Sequence, residues 1–142
     1  MIDVFPAVEA LYESHPVLHR EGRILQEGLM GKPSPPYTKL SGVMTEDLST
    51  FGAIGTGLDI EVWDLTFELT SKTFVPGSAR RWIEAMRDAF HDHDVIDPVF
   101  TTAGCRVTNQ TGPYDEDEQF RATTTVELTI QKDMLRPRTR GG

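Results

Sequence analysis

Three places in this chain hold residue types that do chemistry. In GPYDEDEQF, the carboxylates Asp115, Glu116, Asp117 and Glu118 lie side by side. In HDHD, His91 and His93 alternate with Asp92 and Asp94. Cys105 is the single thiol. Acidic clusters bind metals, act as acid/base pairs or stay hydrated. A calcium loop spreads its ligands over about 12 residues around a central glycine, and DEDEQF has neither the spacing nor the glycine. Adjacent carboxylates on a turn point apart, and forcing them together costs repulsion. The run therefore reads as a solvated hairpin tip. Helical metal sites space histidines at i and i+4, whereas His91 and His93 are two apart and diverge. Cys105 falls in an expected strand with no histidine placed to activate it, and reads as a buried structural thiol. GAIGTG, Gly52 to Gly57, lacks the lysine and the following helix of a nucleotide loop. No GxSxG, Walker A, GxGxxG or CxxC motif is present. These residues point to no catalytic centre, no metal and no cofactor. A small metal-dependent hydrolase using His91, His93 and the acidic tip is the alternative of a different class, and a host-side binding module is another.

The bulk properties frame that reading. The chain of 142 residues has the size of one domain. It is 38% hydrophobic and 25% charged, the balance of a soluble globular protein. No apolar run approaches the roughly 20 residues of a membrane span. The N-terminus, MIDVFPAVEALYESHP, lacks the basic start and apolar centre of a signal peptide. One cysteine cannot form an internal disulfide, which fits synthesis in a reducing cytoplasm. The net charge is −8; the last eleven residues, KDMLRPRTRGG, carry +3, which leaves −11 on the rest. Such a body repels phosphates and does not wrap nucleic acid, although DNA can pass it without sticking.

The elements follow from periodicity. Asp3 is the expected cap of a helix over 3–14, with Pro6 in its first turn and Phe5, Val8, Leu11 and Tyr12 at helical spacing. Arg23 to Gln26 and Tyr37 to Leu40 are expected short strands, the second led by Pro35-Pro36. Residues 41–59 show neither period and read as a long loop. Their apolar residues, Met44, Leu48, Phe51 and Ile54 among them, call for a cover. In EVWDLTFELT, Trp63, Leu65, Phe67 and Leu69 alternate with polar residues, which predicts a half-buried strand. Phe120, Ala122, Thr124, Val126, Leu128 and Ile130 repeat the pattern, with Cys105 to Thr111 as a hairpin partner. Between them Ser78 is the expected cap of a helix whose inner face is Ala79, Trp82, Ile83, Met86, Ala89 and Phe90. The order predicts an α+β single domain over residues 1–132, with an antiparallel or mixed sheet packed against two helices, a long loop between early strands and a C-terminal β-hairpin. Residues 133–142 form a basic tail.

This order of elements resembles the tail terminator proteins of long-tailed bacteriophages, the lambda-like minor tail and tail-completion family. VEALYESHPVL, GRILQEG and PPYTKL resemble that family's opening helix, short strand and proline-led strand. WDLTFELTSKT resembles its long central strand. ARRWIEAMRDAFHD resembles its second helix, with Phe90 where leucine is more usual, and the closing hairpin matches as well. The likeness covers roughly residues 3–131. The RPRTRGG extension departs from the family pattern.

The resemblance implies a structural virion protein with no catalytic residues. It implies a homo-oligomeric, hexameric ring, assembled in the host cytoplasm, that caps the tail tube, stops its polymerisation and meets the neck. DNA passes through its channel. The partners it implies are other copies, the tail tube protein and a neck or head-completion protein. A head-completion or stopper ring is the alternative within the same class. On the residues themselves, Met44, Leu48, Phe51 and Ile54 are the expected subunit or tube contacts. Tyr114 and the run Asp115 to Glu118 are an expected contact or channel element. Arg136, Arg138 and Arg140 are an expected basic contact, and the acidic tip is a candidate for its counterpart.

Overall fold

The computed structural model describes residues 3–25, 34–47, 59–71, 76–98, 100–116 and 119–132. The elements run α1 (Phe5–Ser14), α2 (Pro16–Glu21), β1 (Tyr37–Asp47), β2 (Asp59–Thr70), α3 (Pro76–Phe90), β3 (Phe100–Glu116) and β4 (Gln119–Lys132). The strands form one antiparallel sheet in the order β1-β2-β4-β3. This is the expected α+β class, with one short helix more than the sequence predicted.

The register explains the core. Trp63 pairs with Leu128, Leu65 with Val126, Phe67 with Thr124 and Leu69 with Ala122. All eight are buried, so the two central strands lay one continuous apolar face. Trp82, Met86 and Phe90 of α3 and Val8 and Tyr12 of α1 cover it and are fully buried. Phe67 sits at the centre, stacked on Tyr12 with ring centroids 5.8 Å apart and against Phe90 at 5.1 Å. Phe5 meets Trp63 edge-on at 6.0 Å. Ile83, expected in the core, is only partly buried at its rim. The opposite face of the sheet carries Thr66, Thr123, Thr125, Thr129, Glu68 and Glu127, and each of these remains partly or fully exposed.

Four sequence expectations are corrected. The cap position of α1 is Val4 and not Asp3, whose Oδ1 accepts from the Phe5 N–H at 3.1 Å. Helical structure does not stop with the helix expected over 3–14: Pro16 opens α2, a position where a missing N–H costs nothing. His15 caps that helix, Nδ1 accepting from the Val17 N–H at 3.3 Å. Ser78 lies inside α3, and its hydroxyl donates to Glu21 Oε1 at 3.2 Å. Residues 41–47, expected as loop, continue β1 with Met44 opposite Trp63. The inward phase there is Thr38, Leu40, Gly42, Met44. Gly42 leaves a blank in it because Leu65 Cδ2 and Phe5 Cζ stand 2.7 and 3.1 Å from where its Cβ would be.

A buried polar cluster joins the helices to the sheet. Tyr12 Oη donates to the Gly22 carbonyl and accepts from Trp82 Nε1 at 2.8 Å. Thr38 Oγ1 donates to the same carbonyl at 2.8 Å. One carbonyl thus gathers α1, β1 and, through Tyr12, α3. Burial pushes the Tyr12 hydroxyl well above the usual phenol range. A second tie holds α2 to α3, where Arg81 Nε donates to the buried Glu21 at 2.7 Å.

Candidate functional site

The hairpin that carries the acidic run is built by the two longest strands. Tyr114 pairs with Arg121, Asp115 with Phe120 and Glu116 with Gln119, so β3 and β4 close on each other at this end. Gly112 shapes the approach with a left-handed φ of +104°, and Arg121 O lies 2.7 Å from where a Cβ would be. Tyr114 is 43% exposed, and Asp115 is exposed beside it. Asp117 and Glu118 lie outside the described residues, as do Leu48, Phe51, Ile54, Arg136, Arg138 and Arg140. Met44 is described: its side chain packs against the core on the inner face of β1.

The geometry separates groups that the sequence left free to meet. His91, at the end of α3, accepts from the Val107 N–H through Nδ1 at 3.2 Å. Val107 pairs with Val126 and Asp115 with Phe120. The histidine and the acidic end are therefore six residues of β4 apart, about 20 Å, too far to share a metal or a substrate atom. His93 is exposed, and among the described residues no group of three His, Cys, Asp or Glu side chains can hold a metal ion. Cys105 is buried, and burial, reinforced by the charges of Asp94 and Asp92, pushes its thiol up to about 12. It stays neutral at ordinary pH and is a poor nucleophile. Among the described residues, no helix is long and apolar enough to cross a membrane.

Tip and tail are separated as well. Phe120 lies twelve residues before Lys132 in β4, about 40 Å along the strand. The eight residues from Lys132 to Arg140 span at most about 28 Å. The backbone of the tail is therefore too short to run back along the sheet to the acidic end of the same copy.

Sequence reasoning missed two features of the site. One is a groove of about 560 Å³ between α1 and β1, lined by Asp3, Phe5, Glu9, Ile24, Leu40 and Gly42 among others. The signal was present in Thr38, Leu40 and Met44, once Gly42 is read as a filled inward position. The other is Glu61, 1% exposed, which accepts from Trp63 Nε1 at 3.0 Å. It falls in phase with Trp63, Leu65 and Phe67, so alternation alone places it inward.

The architecture is thus a single antiparallel sheet backed on one face by helices, with a polar face, unlike edges and an acidic hairpin end. No family model matches the chain, and no curated protein matches it in sequence.

Proposed function

We propose that this chain is a structural part of a tailed bacteriophage, a tail terminator that forms a ring, caps the tail tube and meets the neck. The observation that carries this reading is the sheet itself. A four-stranded antiparallel sheet with helices on one face and a polar, solvent-facing other face suits a subunit that packs against neighbours. The order of helix, strands, long central strand, helix and closing hairpin supports it through the family resemblance. A net −11 outside the tail suits a channel past which DNA slides. The acidic hairpin end, with Tyr114 beside it, serves as a contact on another subunit or as channel lining.

The test is an electron micrograph of the purified protein, alone and mixed with tail tubes, with the mass in solution measured beside it. Rings that sit on tube ends and halt growth are the expected result. A monomer at every concentration that leaves tube growth unchanged overturns the reading.

A further inference from the structure

The basic segment 133–142 lies outside the described residues, but its point of departure is fixed. Lys132, the last residue of β4, pairs with Phe100, the first of β3. The connection from α3 to β3 runs back beside β3 toward that point. The Asp92 N–H donates to the Cys105 carbonyl at 2.8 Å. Further on, Thr102 Oγ1 donates to the Val95 carbonyl at 2.9 Å and accepts from the Val95 N–H at 3.1 Å. Val95 is buried at this double tie, and Ile96 next to it is 89% exposed. A branched apolar side chain held in water by a pinned backbone is a preformed anchor for a covering chain. Asp94 is exposed beside it, and Asp92, also exposed, faces His91 Nε2 at 3.4 Å.

From this geometry we infer that the segment Leu135 to Arg138 of the same copy folds back over Ile96 as a strap. Leu135 covers the isoleucine, and Arg136 and Arg138 meet Asp94 and Asp92. The sequence KDMLRPRTR suits the place, because its apolar residue is followed by bases where the anchor is preceded by acids. Pro137 holds Arg136 extended, and in an extended chain Arg136 and Arg138 share one side. The apolar contact sets the place, and the charges set which segment fills it.

The distances allow this strap. Phe100 is one strand spacing, about 5 Å, from Lys132, and Thr102 is about 7 Å farther along β3. Val95 lies within a side chain's length of Thr102. Ile96 is thus about 15 Å from Lys132. The three residues to Leu135 span about 10 Å, and the two side chains bridge the remainder. A tether this short holds the chain's own segment at millimolar effective concentration, which a neighbour's segment does not reach in dilute solution. The basic segment thereby gains an acidic counterpart within reach, which the hairpin end is not. The strap neither needs a ring nor excludes one.

The test uses the full-length chain, dilute, with Ile96→Cys and Leu135→Cys added and the buried Cys105 left in place. Mild oxidation is expected to give a disulfide within one chain, monomeric in mass and with both added thiols consumed. The control replaces Ile96→Cys by Thr101→Cys. Thr101 is exposed and lies nearer to Lys132, opposite Gln131, so a freely moving segment links it at least as fast. The strap makes Ile96→Cys link about tenfold faster than this control. That advantage is lost when Arg136→Glu and Arg138→Glu are added, or at high salt, and returns in part when Asp94→Arg joins the glutamates. Circular dichroism of each variant guards against misfolding. Equal or faster linking at Thr101→Cys overturns the proposal, as does an advantage that ignores charge reversal. A link that forms only between chains, at a rate rising with concentration, overturns it too and gives the contact to a neighbour. A strapped chain that leaves tube growth unchanged keeps this contact and removes the terminator role; capping without the strap does the reverse.

Discussion

Along β3, the Cys105 carbonyl accepts from the Asp92 N–H at 2.8 Å, and the Val107 N–H reaches His91 at 3.2 Å. The end of α3 thus closes that edge, and Asp92 takes a left-handed φ of 59° to do so. Along β1, the corresponding groups of Leu40 and Gly42 have no backbone partner among the described residues. The strands differ in regularity too. β3 shifts register three times, between Thr102 and Gly104, Val107 and Asn109, and Thr111 and Tyr114. β1 shifts once, between Met44 and Glu46. Bulges spoil an edge as a template for pairing. Among the described residues, the end of α3 covers β3 at Cys105 and Val107, and β1 is met at Thr38 by Arg23 and Leu25. The comparison teaches that the two edge strands are held differently, β3 by the end of α3 and by its bulges, β1 by the segment at Arg23 to Leu25 and by α1.

The largest effect tests what both edges share. Leu128 is fully buried, and it lies across from Trp63 on one side and Cys105 on the other. Leu128→Ala is expected to cost on the order of 2–5 kcal/mol, through lost transfer energy and a residual cavity. Urea unfolding followed by tryptophan fluorescence measures it. A loss under about 1 kcal/mol would mean that the two halves of the sheet do not lean on one core.

The next effect separates the edges. Gly42→Val places branched carbon where Leu65 and the Phe5 ring already stand. Overpacking of this kind costs about 1–3 kcal/mol. The ring of Phe5 also has to leave Trp63, so near-ultraviolet circular dichroism should change with stability. Unaltered stability with an unaltered aromatic signal would show that α1 does not press on β1 at this point.

These two positions mark what was legible in the sequence. β2 and β4 lie in the middle of the sheet with one face buried, so strict alternation wrote their inner rows plainly. In β1 the row is broken by Gly42, where a neighbouring ring replaces the side chain that periodicity looks for. In β3 the inward residues Thr102, Cys105, Val107 and Gln110 step by three, two and three, because bulges shift the phase, and only Cys105 to Thr111 was read as strand. α2 was hidden because Pro16 looks like a stop until His15 is seen to cap it. Nothing local links Tyr12 to Gly22, Thr38 and Trp82, since that cluster exists only after three elements meet. The pairing of β3 with β4 up to Glu116 and Gln119 was readable from the alternation of β4 and the length of its partner. The groove was not, because it is made by α1 and a strand half of which looked like loop.

A smaller effect probes the closed edge. His91→Ala removes the acceptor for the Val107 N–H and leaves a part-buried donor without its partner. Stability should fall by about 1 kcal/mol. Hydrogen exchange gives the sharper reading, because the Val107 amide should exchange faster while the amides facing β4 hold. In the unaltered protein the Leu40 and Gly42 amides should already exchange faster than that of Val107. Equal protection of all three would erase the difference between the edges.

The smallest effect is expected at the glycine that answers Gly42 on the other side of the sheet. Gly104 lies at the first register shift of β3 and is exposed. A Cβ there meets nothing within 4 Å. Its backbone is outside the left-handed region, so alanine enters without strain. Gly104→Ala should then act through the unfolded chain, which has fewer conformations to lose, and raise stability by about 0.4–1 kcal/mol. The same class of change, adding a side chain to an edge-strand glycine, thus has opposite signs at the two edges. Chemical unfolding of Gly42→Ala and Gly104→Ala side by side decides it. If both destabilise, β3 is packed more closely at its bulge than its exposure indicates. If neither does, Phe5 and Leu65 yield without loss, and the tight approach of α1 to Gly42 is not what holds β1 straight.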